Sequence, residues 1–180
     1  MTAWTLSAIE DLFAQPWLTV LQRAVSVHQA HWPQPEVELA TLLSVKTGGC
    51  PENCGYCPQS QSFETEVKAS KLLPENEVLQ AAQAAKAAGA TRFCMGAAWR
   101  SPKGRDLEKM AAMIANVKAL GLETCATLGM LSPDQAQTLQ AAGLDYYNHN
   151  PAPIPTHHAQ FVPTRTYNHR IDPHITLRQP

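Results

Sequence analysis

The chain has 180 residues, 44% hydrophobic and 16% charged, with 14 Lys and Arg against 15 Asp and Glu and a formal net charge of -1. Phosphate binding asks for a clustered excess of cations, so this balance argues against a nucleic-acid partner. No apolar run approaches the roughly 18 residues of a membrane span, and Met1–Leu6 lacks the basic start and apolar stretch of a secretory signal, so a soluble, cytoplasmic protein is expected.

The first elements read as helices. Ser7 and Glu10 have the spacing of a capping box, and Ile9, Leu12 and Phe13 share a face before Pro16 interrupts the run. A second helical stripe passes through Val20, Leu21, Ala24 and Val27 and stops before Trp32-Pro33-Gln34-Pro35. From Leu42 the pattern becomes regular. Strands are expected at Leu42–Thr47, Thr91–Met95, Leu122–Leu128 and Leu144–Asn148. Helices are expected between them at Pro74–Ala88, Asp106–Leu120 and from Ser132, ending at Gly89, Gly121 and Gly143. Leu107, Met110, Ile114 and Val117 make the apolar stripe of the middle one. Strands alternating with helices indicate βα units and a parallel sheet.

After Asn150 the composition shifts. Residues 151–180 hold six of the 14 prolines and four of the seven histidines, and no Lys or Glu. Pro151, Pro153 and Pro155 oppose both helix and central strand, so an irregular, poorly packed tail is expected. The domain reading is a helical extension over 1–40, about four βα units over 41–150, and a divergent tail over 151–180.

Chemistry concentrates in Cys50-Pro-Glu-Asn-Cys54-Gly-Tyr-Cys57, directly after the first strand. Five cysteines are an odd number, and a reducing compartment keeps them as thiols. Three thiolates on one loop can hold three irons of a 4Fe-4S cube and leave the fourth iron open to a small molecule. The competing readings are a zinc site completed by a distant ligand and a redox dithiol at Cys54 and Cys57. Zinc modules usually pair C-x2-C units, and no second unit exists here. Cys94 and Cys125 sit mid-strand, where a buried cysteine is ordinarily a small apolar core residue.

C-x3-C-x2-C with an aromatic residue before the last Cys resembles the motif of radical S-adenosylmethionine (SAM) enzymes. Thr47–Ser60, Arg92–Trp99, Gly143–Asn150 and Thr164–Asp172 are more specifically similar to the biotin synthase family. The resemblance implies the N-terminal half of a (β/α)8 TIM-type barrel, in an α/β chain with a helical extension before it and an irregular tail after it. It implies conversion of dethiobiotin to biotin, with a 4Fe-4S cluster on Cys50, Cys54 and Cys57 binding SAM through its open iron. By the same resemblance Tyr56 lies against the SAM adenine, Asn150 contacts SAM and substrate, and Arg170 pairs with the SAM carboxylate. Cys94 and Cys125 become ligands of a second, 2Fe-2S cluster that donates the sulfur. Dethiobiotin as substrate, an electron donor such as flavodoxin, and a homodimer are implied with them.

The chain departs from the family late. Where the family has Leu-Asp-Thr after Asn-His-Asn, with the Asp on the SAM ribose, this chain has Pro151 and Ala152. A reading-frame shift local to 151–158 and repeated near 173 would account for both departures. A full barrel takes about 250 residues, and the family's other two 2Fe-2S ligands, a Cys and an Arg, are expected beyond residue 180. The alternative is therefore a truncated, catalytically inactive fragment that still binds an iron–sulfur cluster.

Overall fold

The computed structural model describes residues 4–32, 34, 36–150, 155–169 and 171. It divides into two compact units, Met1–Val37 and Glu38–Pro180.

The first unit contains two helices, α1 (Leu6–Phe13) and α2 (Trp17–His31). The cap of α1 differs from expectation: Thr5, extended at φ -87 and ψ 156, accepts from the Ala8 amide at 3.2 Å. Thr caps as Ser does, and starting two residues earlier lets Leu6 and Ser7 join the helix. Pro16 serves as N-cap of α2, where its fixed φ suits a helix start.

The second unit is a four-stranded parallel sheet in the order β1 (Ala40–Lys46), β2 (Arg92–Ala97), β3 (Glu123–Thr127), β4 (Tyr146–Tyr147). The helices α3 (Glu75–Ala87), α4 (Gly104–Ala119) and α5 (Pro133–Ala141) connect them. Each ends near a glycine of positive φ, at Gly89, Gly121 and Gly143. The Ser132–Gln135 capping box forms as the sequence indicates: the Ser132 amide donates to Gln135 Oε1 at 2.9 Å, and the Gln135 amide to Ser132 Oγ at 3.3 Å. β4 is shorter than expected, because beyond Tyr147 the Asn148 amide makes one last bond to the Ala126 carbonyl before the chain leaves the sheet.

Period-two alternation decides which face is core. Phe93, Met95 and Ala126 point to the helices and are fully buried against Met110, Ile114, Val117 and Leu139. Each such large side chain contributes about 1.5–3 kcal/mol on burial. The opposite face carries rows set by strand register: Ala40, Arg92 and Glu123; then Leu42, Cys94, Cys125 and Tyr146; then Ser44, Gly96 and Thr127. Leu42 is 71% exposed, so this inner face stands open, as one side of an incomplete barrel must. At the far edge the Tyr147 hydroxyl is buried, accepts from the Leu128 amide at 3.1 Å and donates to the Gly129 carbonyl, tying β4 to the loop after β3.

Beyond β4 the described tail is more helical than expected, with a 3-10 turn at Pro155–His157, a short helix α6 (His158–Phe161) and helical residues again at 168, 169 and 171, because a proline such as Pro155 is tolerated in a first helical turn. It is better packed than its proline content suggests. Val162 and His158 are buried, and residues 161–165 are bonded to the loop after β1. No helix among the described residues is long and apolar enough to cross a membrane.

Candidate functional site

The cysteine loop leaves β1 through Gly48 and Gly49, both at φ 64, in the left-handed region that suits glycine. A Cβ on Gly48 would stand 3.0 Å from the backbone of Ala69, so the close return of residues 68–70 also requires its absence. The loop then folds on itself. The Cys50 amide donates to the Gln59 carbonyl at 2.9 Å, the Gln61 amide to the Cys50 carbonyl at 2.9 Å, and the Cys57 amide to the Cys54 carbonyl at 2.9 Å. Gln59 Oε1 accepts from the Gly48 amide at 2.6 Å and clamps the entry to its exit.

These bonds bring Cys50, Cys54 and Cys57 to the wall of one cavity of about 300 Å3 at the C-terminal end of the strands. Tyr56 and Asn150 line the same cavity, with Gly96, Trp99 and Thr127 from the strand ends. Active-site groups gather at this end of parallel barrels, where the βα loops converge. Cys54 is buried, and Cys50 and Cys57 are half-buried. Burial pushes the Cys50 thiol up, so it ionises readily only when a cation compensates its charge.

Among the described residues no group of three His, Cys, Asp or Glu side chains is arranged around a single ion position. A mononuclear zinc site draws its ligands onto one point. Ligands of a polynuclear cluster each face their own metal, and three thiols lining one cavity suit such a cluster by their chemistry.

Cys94 and Cys125 do not line this cavity. They face each other one row deeper on the inner face, two residues before Gly96 and Thr127 on their strands, or about 7 Å at a parallel strand's rise. Burial, and then the hydrogen bond that the Cys125 thiol donates to Cys94, push the Cys125 thiol up to about 12. One row deeper again, Arg92 pairs with Glu38 and Glu123 at 2.8 Å each and lies 3.8 Å over the Tyr146 ring. Arg170 lies outside the described residues, as do Pro151 and Ala152.

One set of groups was missed in the sequence. Glu52, between two of the cysteines, is 2% exposed and accepts from Arg100 Nη1 and Thr164 Oγ1, with Arg165 Nε at 3.3 Å. Arg165 Nη2 also lies 3.6 Å from Cys54 Sγ. The available signal was a carboxylate inside a thiol-rich turn, which needs cationic partners if it is buried.

Comparison with known proteins agrees with this geometry. The model of the radical SAM superfamily matches residues 44–179. A biotin synthase of Delftia acidovorans is 61% identical over 170 residues, covering 94% of this chain and 48% of its own length. The biotin synthase of Paracidovorax citrulli is 62% identical over 175 residues, covering 97% and 49%. The chain thus spans about half the length of the curated relatives it matches. A crystal structure of methylornithine synthase superposes with a TM-score of 0.78 at 16% identity, over 97% of this chain and 52% of that one, which speaks for the fold alone. The family's shared chemistry rests on a 4Fe-4S cluster and SAM, and the match runs from the end of β1 through the cysteine loop and β2 to β4: this chain belongs to the radical SAM superfamily.

Proposed function

We propose that this chain carries the SAM-cleaving part of a biotin synthase, an enzyme that inserts sulfur into dethiobiotin. The observation that carries the reading is the convergence of Cys50, Cys54, Cys57, Tyr56 and Asn150 on one cavity at the C-terminal end of a parallel sheet, with Cys94 opposite Cys125 one row beneath. A cluster and SAM bound there would supply one-electron chemistry able to activate an otherwise unreactive C–H bond.

The chain's own residues hold and orient. Cys50, Cys54 and Cys57 are the proposed 4Fe-4S ligands. Tyr56, 54% exposed at the cavity wall, offers a ring face to the SAM adenine, and Asn150 offers an amide that can both donate and accept to SAM and substrate. Arg170 is assigned to the SAM carboxylate, which a guanidinium grips in bidentate fashion. Cys94 and Cys125 are assigned to a 2Fe-2S cluster; burial makes the Cys125 thiol hold its proton tightly, so metal binding there must release it. A flavodoxin-type donor and a homodimer complete the proposal. A cytoplasmic setting suits five cysteines of which none is in a disulfide.

Anaerobic reconstitution with iron and sulfide, followed by SAM, reductant and dethiobiotin, tests the reading. Biotin and 5′-deoxyadenosine together are expected of the active enzyme. A protein that takes up zinc but no iron–sulfur cluster would overturn it. 5′-deoxyadenosine without biotin would instead identify a cluster-binding chain without sulfur insertion.

A further inference from the structure

We infer that Arg165 is a positioning residue for the cysteine loop, docking the segment after α6 onto it through Glu52 and presenting a fixed cation to the Cys54 sulfur. The inference rests on the cluster assignment above for its electronic consequence, and on geometry alone for its structural one.

Four consecutive loop residues are held by the tail. Glu52 accepts from Thr164 Oγ1 and faces Arg165 Nε, and the Asn53 amide reaches Thr164 Oγ1 at 3.5 Å. Cys54 Sγ faces Arg165 Nη2, and the Gly55 amide donates to the Phe161 carbonyl at 2.7 Å. The Arg165 side chain is 8% exposed. A charge buried to that degree is tolerated only with an opposite partner, and Glu52, itself 2% exposed, is that partner.

The count of charges matters. Among the described residues one carboxylate, Glu52, faces two guanidinium groups, Arg100 and Arg165, which leaves one cation in excess there before any thiolate forms. Arg100 is 43% exposed and its charge is screened by solvent. The excess is therefore felt at Arg165, which pairs with Glu52 by charge at 3.3 Å from Nε, without an aligned hydrogen bond, and donates to the sulfur through Nη2. A reduced iron–sulfur cluster carries one more negative charge than an oxidised one. A nearby fixed cation favours the reduced form and raises its potential, because hydrogen bonds to the sulfurs and net charge both tune such clusters. Lysine cannot span both acceptors, having a point charge at the end of a flexible stem.

Four proteins decide the matter: the parent, R165Q, R165K and R100Q, each checked for folding by circular dichroism. In the cluster-free proteins, amide exchange of residues 52–55 is expected to rise about tenfold in R165Q, as for loss of one charge-assisted contact, and less in R165K. In the reconstituted proteins, the midpoint potential is expected to fall in R165Q, to fall less in R165K, and to stay near the parent value in R100Q. Equal shifts in R165Q and R100Q would mean that Arg165 acts only through Glu52, which overturns the proposed contact to sulfur. Unchanged exchange and unchanged potential in R165Q would overturn the whole inference. If the parent takes up no cluster while exchange responds as described, the cluster assignment fails and the positioning role stands.

Discussion

Cys94 and Cys125 stand directly opposite each other on adjacent parallel strands, and burial, with the bond to Cys94 second, makes the Cys125 thiol hold its proton up to about 12. The ordinary thiol value is 9.0, so the folded state binds this proton more tightly than the unfolded chain does. Stability from this source is whole below pH 9 and is lost as pH rises from there through about 12. Urea unfolding of the metal-free protein is expected to show a falling midpoint across that window. In C125S the fall should be shallower; an identical slope would show that the thiol pair contributes nothing. Tyr147 and Cys50, both pushed up by burial, act in the same direction and account for a residual slope.

Replacing any one of Cys50, Cys54 or Cys57 by Ala is expected to reduce reconstituted iron and visible absorbance by most of their parent values. C94A should leave that first-site absorbance in place, because Cys94 lies on a different row and outside the cavity. Iron analysis of the variants side by side checks this, and equal losses in C94A and C54A would refute two separate sites.

Glu52→Ala leaves the Arg165 guanidinium buried without its carboxylate. Removing one partner of a buried pair costs about 3–5 kcal/mol. The expected outcome in denaturant titration lies at the lower end of that range, since Arg100 stays partly solvated.

Gly129 has φ 86, and a Cβ there would collide with the carbonyls of Trp99 and Arg100. The loop after β2 and the loop after β3 touch at this point, where the Met130 amide also donates to the Arg100 carbonyl at 2.8 Å. Gly129→Ala is expected to cost about 2–4 kcal/mol, as a strained backbone position and a steric clash combine. A melting temperature within a degree of the parent would contradict that.

Phe93→Ala removes a fully buried ring from the interface between the sheet and its helices. The expected loss is about 3–5 kcal/mol in chemical denaturation. Leu42→Ala, on the open inner face, should change stability far less, which makes the pair a direct measure of which face is core.

The sheet and helices were legible because their signals are local. The stripe at Met110, Ile114 and Val117, the Ser132 capping box and the helix-ending glycines each depend on residues a few positions apart. The cysteine loop was legible for the same reason. What the sequence hid depends on distant partners: nothing near Glu52 announces that residues 164 and 165 close over it, 112 positions later in the case of Thr164. The proline-rich stretch misled in a related way, since proline limits regular elements to short pieces without forbidding burial, and Val162 is buried with no secondary structure of its own. β4 fell short because alternating hydrophobicity specifies an extended segment but not how far its neighbour accompanies it.

The strand order has a kinetic meaning. Each strand pairs with its immediate predecessor, so the pairings that build the sheet close modest loops: contacts across them span 52 residues from Thr91 back to Leu39, and 31 between Arg92 and Glu123. The Thr164–Glu52 bond closes one of 112. Loop-closure entropy and contact order both favour the nearer pairings first. The scaffold should therefore assemble before its cysteine loop is latched, leaving an interval in which the thiols are gathered but still accessible to incoming iron and sulfide. Pulse-labelled hydrogen exchange during refolding would reveal that interval as protection of Phe93 and Ala126 preceding protection of Gly55.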